Sequence, residues 1–247
     1  MKPATGTMRP AFFAAAPRRT RRLAKRLMRS ERGSVAIEFV IVVPIMLLIL
    51  LGFTELYLYM RAVSLVEHTA FTLADSIGQM SNVIDDGSSQ NNAANANSLT
   101  SIWAAAVTLA SPNQLNGNGG VIVTAICDQA VNCGCQSVLN PTQDPGTATI
   151  LWAAKPSWQP SGMKSTITST NAIPTNWPFR YGDSAIAVEV FYNYTPFALT
   201  SAFWSKAPVA TTIYERVYVR PRNGQALALT NPSATGSGSQ CERKPVS

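Results

Sequence analysis

In the stretch RGSVAIEFVIVVPIMLLILLGFTEL, Arg32 to Leu56, every residue from Phe39 to Phe53 is apolar, Gly or Pro, yet Glu38 opens the run and Glu55 closes it. A charge at the centre of a bilayer costs roughly 2.5–3.5 kcal/mol on insertion scales, and less near the edge. Glu55, close to the outer end of the run, suits snorkelling to the membrane interface. Glu38 lies about 6 Å along a helix axis inside the basic flank. At that depth a partner is the better reading, and an intramembrane ionisable residue is a functional candidate by default.

The other groups with chemistry are few. Cys127, Cys133, Cys135 and Cys241 are the only cysteines. Their C-x5-C-x-C spacing is not a zinc pattern, and no histidine lies near it. In an outward-facing domain such thiols form disulfides. Four cysteines allow three connectivities, of which Cys133–Cys135 closes too tight a loop to be favoured. His68 is the single histidine, with Glu67 beside it. Adjacent residues on a helix point apart, so they make no acid–base pair. With no nucleophile elbow, P-loop or metal motif, we expect neither an enzyme nor a bound metal or cofactor.

The element that must carry Glu38 and Glu55 is a helix. With Ser34–Ile37 before it and Leu56–Tyr59 after it, the apolar run covers the about 20 residues a bilayer core requires. It exceeds a secretory apolar region of about 7–15 residues, and no small-x-small cleavage site follows, so it reads as a retained anchor. Pro44 removes a helical donor from the Val40 carbonyl and predicts a local kink.

Charge sets the orientation. The net charge is +7, but residues 1–33 hold ten Lys or Arg and one acid, Glu31. The remainder holds ten basic and twelve acidic residues and is nearly neutral. A basic cluster can serve nucleic acid, but this one sits directly before the apolar run, where the positive-inside rule needs it. No basic patch with interleaved aromatics follows, so nucleic acid is not expected as a partner. The N-terminus is then cytoplasmic, and residues after about 60 face outward.

Past the membrane, Leu56, Tyr59, Val63, Val66, Ala70, Leu73, Ile77 and Met80 recur at spacings of three and four. This narrow stripe fits a seam against other helices or a helix lying on its own domain, and both readings stand. Asp85–Asn92 reads as a polar loop. Ser98 is placed to cap a short helix with Leu99, Ile102, Trp103, Ala106 and Leu109 on one face, ending before Pro112. Val121–Ile126 and Thr147–Trp152 read as strands, and residues 155–181 as a long irregular excursion. Ile186, Val188, Val190 and Tyr192 alternate, as do Val209, Thr211, Ile213, Glu215 and Val217, as antiparallel strands do. The expected fold is α+β, a long N-terminal transmembrane helix followed by a small outward-facing domain with an antiparallel sheet. The expected divisions are a basic cytoplasmic leader (1–33), a membrane and amphipathic helix (34–81), a polar linker (82–97), an outer domain (98–230) and a flexible tail (231–247).

Gly33, four residues, then Glu38-Phe39 and a long apolar helix resembles the signature of type IV prepilins and pseudopilins. More narrowly, Gly33, Glu38, Phe39, Pro44 and Glu55 resemble the N-terminus of the TadE-like family, minor pseudopilins of the tight-adherence pilus. Gly182–Phe197 (GDSAIAVEVFYNYTPF) and Val217–Gly224 (VYVRPRNG) are similar to segments near the end of that family, whereas residues 81–181 carry no likeness. The resemblance implies a pilin-like helix and cutting after Gly33 by a prepilin peptidase, which makes Ser34 the first mature residue. It also implies that Glu38 and Phe39 serve assembly, with Glu38 paired to a free N-terminal amine. Membrane lipid, the peptidase, other pilins or pseudopilins and the pilus assembly machinery are the implied partners. The implied location is the bacterial inner membrane, in a single pass with the outer domain periplasmic or associated with the pilus. The competing expectation is a signal-anchored periplasmic binding or adhesion domain that is never cut.

Overall fold

The computed structural model describes residues 31–86, 95–128, 144–197, 210–230 and 239–240. The basic leader as far as residue 30, Cys133, Cys135, Cys241, Val209 and most of the C-terminal tail lie outside the described residues. The chain divides into two compact units, residues 1–54 and 55–247.

The described part of the first unit is helical throughout. It belongs to helix α1 (Glu31–Gly78), which runs through Pro44 and begins and ends three residues earlier than the spacing suggests. Its large apolar residues from Val35 to Phe53 are exposed, except the half-buried Val43. In the second unit the same helix changes character. Ala62, Val66, Ala70, Leu73, Ala74 and Ile77 are buried, with Val63 and Met80 packed beside them. The upper part of the stripe therefore lies on the chain's own domain. Its lower members, Leu56 and Tyr59, are exposed. Burying each Val, Leu or Ile side chain contributes about 1.5–3 kcal/mol, and the interspersed alanines allow close approach.

What the helix covers is a four-stranded antiparallel sheet of β2 (Gly119–Asp128), β3 (Ala148–Ala154), β4 (Ser184–Tyr194) and β5 (Thr211–Val219), in the order β3-β2-β4-β5. Val121, Val123 and Ala125 share the helix-side core with Ile186, Val188 and Val190. The alternate residues face the other way and are also buried. Ile126, Ala185 and Ala187 meet Ile167, Ala172 and Phe179, and Ile122 and Phe191 meet Met163. The excursion after β3 is thus the cover of the sheet's second face. Coverage on both sides explains why all ten residues of β2 are buried.

A second, three-stranded sheet joins β1 (Asn82–Ile84), β6 (Ala228–Thr230) and β7 (Ser239–Gln240). β1 pairs with β6 in parallel and β7 with β6 antiparallel. The segment expected as linker therefore holds a strand, and the segment expected as tail adds another. Three residues with one buried apolar side chain, Val83, leave no period to read. Helix α2 (Leu99–Leu109) follows the expected pattern closely. Ser98 caps it by accepting from the Ser101 N–H at 3.1 Å, and Leu99, Ile102, Trp103 and Ala106 are buried. A short, kinked helical turn, α3 (Leu115–Asn118), leads into β2.

Two buried carboxylates pin the coverings to the sheet. Asp128 accepts from the Thr147 N–H at 3.0 Å and the Gly182 N–H at 2.8 Å, closing both chain excursions onto the end of β2. Glu189, fully buried in the middle of β4, accepts from the Thr166 N–H at 2.9 Å, the Thr166 hydroxyl at 2.7 Å and the Tyr214 hydroxyl at 2.8 Å. The Ser165 hydroxyl also donates to it. A carboxylate is acceptor-only, so four donors match it as an amide cannot. We expect Glu189→Gln to lower stability by about 2–3 kcal/mol, because the amide NH2 must confront a donor, measured by thermal unfolding. Burial first, and then Glu189, push the Tyr214 phenol up from 10.0 to about 12, although Thr166 and Arg216 oppose this. The folded state then holds this proton more tightly than the unfolded state. Its stabilising contribution is whole below pH 10 and is lost as pH rises towards 12. Tyr214→Phe should flatten that part of the stability–pH curve.

Candidate functional site

Gly33 and Ser34 stand in the first turns of α1. From there the helix is built of residues that favour burial in lipid, and none of its most apolar window is buried in protein. Phe39 is 67% exposed, about as much as any side chain on this stretch, and Glu38 beside it is also exposed. Ser34 and Glu38 are four residues apart along α1. α1 is long and apolar enough to cross a membrane once.

Glu55, at the far end of the apolar run, meets a side chain of β4. The Tyr194 hydroxyl donates to its Oε1 at 2.5 Å. Tyr59, one turn further along the helix, meets the same tyrosine ring edge-to-face with centroids 5.5 Å apart. Tyr194 ends β4, so the last residue of the long strand is held by two successive turns of α1. Burial, followed by the hydrogen bond to Glu55 and its charge, raises the Tyr194 pKa well above the ordinary phenol range. That tyrosine therefore remains a donor at any physiological pH.

A second clasp closes the helix's far end. Arg222, just past β5, forms an ion pair with Asp75 at 2.8 Å, and its backbone N–H donates to the Gly78 carbonyl at 2.8 Å. Glycine suits position 78 because a Cβ there would come within 3.2 Å of Val219 Cγ2. Glu67 and His68 are both exposed on the helix. Cys127 is buried at the end of β2, and the other three cysteines lie outside the described residues. Sequence reasoning missed Tyr194 and Arg222 as partners of α1. The signal was present in the Tyr-Thr-Pro and Arg-Pro-Arg segments, but nothing local shows what a strand end or a turn will touch.

One exposed apolar helix near the N-terminus, followed by an α+β domain with an antiparallel sheet, defines a single-pass anchored protein with a helix-mounted domain. Residues 33–75 match the family model described as TadE-like protein. Over that segment the chain is similar to the TadE-like family. No curated protein and no solved structure matches the chain. The matched segment contains Glu38, Glu55 and Asp75, and so both carboxylates that the sheet's ends grip.

The Glu55–Tyr194 contact predicts a measurable coupling. A double-mutant cycle of Glu55→Gln and Tyr194→Phe in detergent-solubilised chain should give about 1–3 kcal/mol, as for a hydrogen bond to a charged group. Additive effects would mean that the two side chains stand close without supporting each other.

Proposed function

We propose that the protein is a minor pseudopilin of a tight-adherence pilus, an assembly component without enzymatic activity, cut after Gly33 by a prepilin peptidase. The observation that carries this reading is where the family match starts. It opens on Gly33 and leaves out the basic residues before it. Cutting there would remove a segment with a net charge of about +9, counted over residues 1–33, which cannot be drawn readily into a bilayer.

Cutting also creates the Ser34 amine. Glu38, about 6 Å further along the axis, is its partner on the same chain or on a neighbouring one. An amine and a carboxylate meeting in low dielectric offset much of each other's desolvation. The exposed flank of α1, with Phe39 at its start, is then the surface that packs against other pilins or the assembly machinery. The orientation that follows is N-terminus cytoplasmic and outer domain periplasmic.

Gly33→Leu should leave the leader attached, because the peptidase needs a backbone free of a side chain before the scissile bond. N-terminal sequencing of the membrane-extracted protein reads this directly, with Ser34 expected as the first residue of the unsubstituted chain. Glu38→Gln keeps the shape and removes the charge. It should be cut and anchored at normal levels yet fail to restore surface pili in a complementation assay. Full piliation by that variant would leave Glu38 without an assembly role, and an uncut native chain would point to a plain signal anchor.

The outward orientation carries a thiol expectation. Cys127 has no free thiol, which supports pairing among Cys127, Cys133, Cys135 and Cys241. Alkylation followed by mass spectrometry of native protein should find all four blocked, with Cys241 joined to one cysteine of residues 127–135. Four alkylated thiols would reject both the disulfides and the oxidising compartment.

A further inference from the structure

A pocket of about 540 Å³ opens in the outer domain between α2 and the chain that leaves β3. That size lies within the range of small-molecule sites, about 300–1,000 Å³. Its floor is apolar: Leu99, Trp103 and Val107 from one face of α2, together with Pro156. Trp158 lines it from the loop, half-buried, and Trp103 is almost wholly buried. Around this floor stand small uncharged polar side chains, namely Thr100 and Thr108 of α2, Asn116 and Ser157. The only charged lining residues are Lys155 and Asp85, one of each sign.

We propose that this pocket binds a neutral pyranose oligosaccharide. The half-buried Trp158 offers an indole face of negative electrostatic potential, which suits the weakly positive C–H face of a sugar ring, and the buried Trp103 backs the floor. Hydroxyls and an amide supply both donors and acceptors, as a ligand covered in hydroxyl groups requires. The opposite charges of Lys155 and Asp85 cancel, which disfavours polyanions such as phosphorylated chains. Peptides fit the site less well. Strand addition needs an open sheet edge, and this pocket is walled by a helix and a loop. A helical ligand needs a continuous apolar groove, and this floor is ringed by polar groups. In the proposed orientation, the glycans that meet this face are those of the cell wall and the cell surface.

The test uses the full chain in a polyoxyethylene detergent, which contains no sugar. Chitotriose and cellotriose are titrated separately, with calorimetry and tryptophan fluorescence as readouts, and trileucine serves as the peptide comparison. At least one trisaccharide should bind saturably with a Kd below about 1 mM. Binding of chitotriose alone assigns an N-acetylated, cell-wall type of glycan, whereas binding of cellotriose assigns a plain glucan. Ala104 and Thr108 are exposed on the pocket side of α2, so Ala104→Phe and Thr108→Trp should plug the mouth without touching the core. Each should weaken binding at least tenfold with an unchanged Tm, and if one alters the Tm the other decides. Trp158→Ala should lose binding as well. The proposal is overturned if neither sugar binds with a Kd below about 1 mM, if trileucine binds in their place, or if a folded plug variant binds sugar normally.

Discussion

Helix α1 must satisfy two surroundings along one uninterrupted backbone, and most of the structure follows from that requirement. As far as Thr54, bulky aliphatic side chains point outward on every side. A helix that is apolar all round is stable only where it is surrounded by lipid or protein. From Ala62 onward one face turns to small and branched residues that are buried against the sheet, while Glu67, His68 and Phe71 are exposed. Helical hydrogen bonds are internal to the element, so the backbone can pass between the two surroundings without leaving groups unpaired. Only the side chains have to change.

The sheet faces the complementary difficulty. Covered on both sides, it cannot use the ordinary alternation of one apolar and one polar face. Its second face is closed by an excursion of irregular chain, whose backbone groups cannot pair with one another as a strand's do. Buried carboxylates meet that need. Glu189 gathers donors from Ser165 and Thr166 of the covering segment and from Tyr214 of β5, and Asp128 takes the Thr147 and Gly182 N–H groups. A satisfied carboxylate fixes which loop residue sits where, which apolar contacts alone do not specify.

Much of this was legible beforehand, where a signal repeats. α1, α2 with its Ser98 cap, and the strands around Val121, Thr147, Ile186 and Ile213 all show a period or a cap that neighbouring residues reinforce. The α+β class followed from them. The stripe along α1 was legible too, but not what lay against it, because a period reports a buried face and never the partner. Glu189 was unreadable for a related reason. In AVEVFY it occupies the solvent-side position of an alternating strand, and only the later excursion makes that position an interior one. β1 and β6 are too short to show any pattern and become strands through each other. Of the candidate site, Glu38 and Glu55 stood out by cost, since a carboxylate in an apolar run is conspicuous. Tyr194, which meets Glu55, did not, since a tyrosine at a strand end is ordinary.

The TadE-like match and the fold divide the chain at different places, and the overlap is informative. The match runs from residue 33 to 75 and so extends well past Thr54, where the second compact unit begins. Within the overlap lie Glu55 and Asp75, whose partners Tyr194 and Arg222 come from β4's end and the turn after β5. Between these two contacts sits the buried face of Ala62, Val66, Ala70 and Leu73. The matched segment therefore includes most of the helix face that packs on the sheet domain, with Ile77 just beyond it. The pocket beside α2 and the excursion after β3, by contrast, fall outside the match. Such a division suits a component whose shared task is carried by the helix and its seat. On the assembly reading, residues near Glu38 would engage other subunits while the domain on the seat remains free to vary in what it recognises.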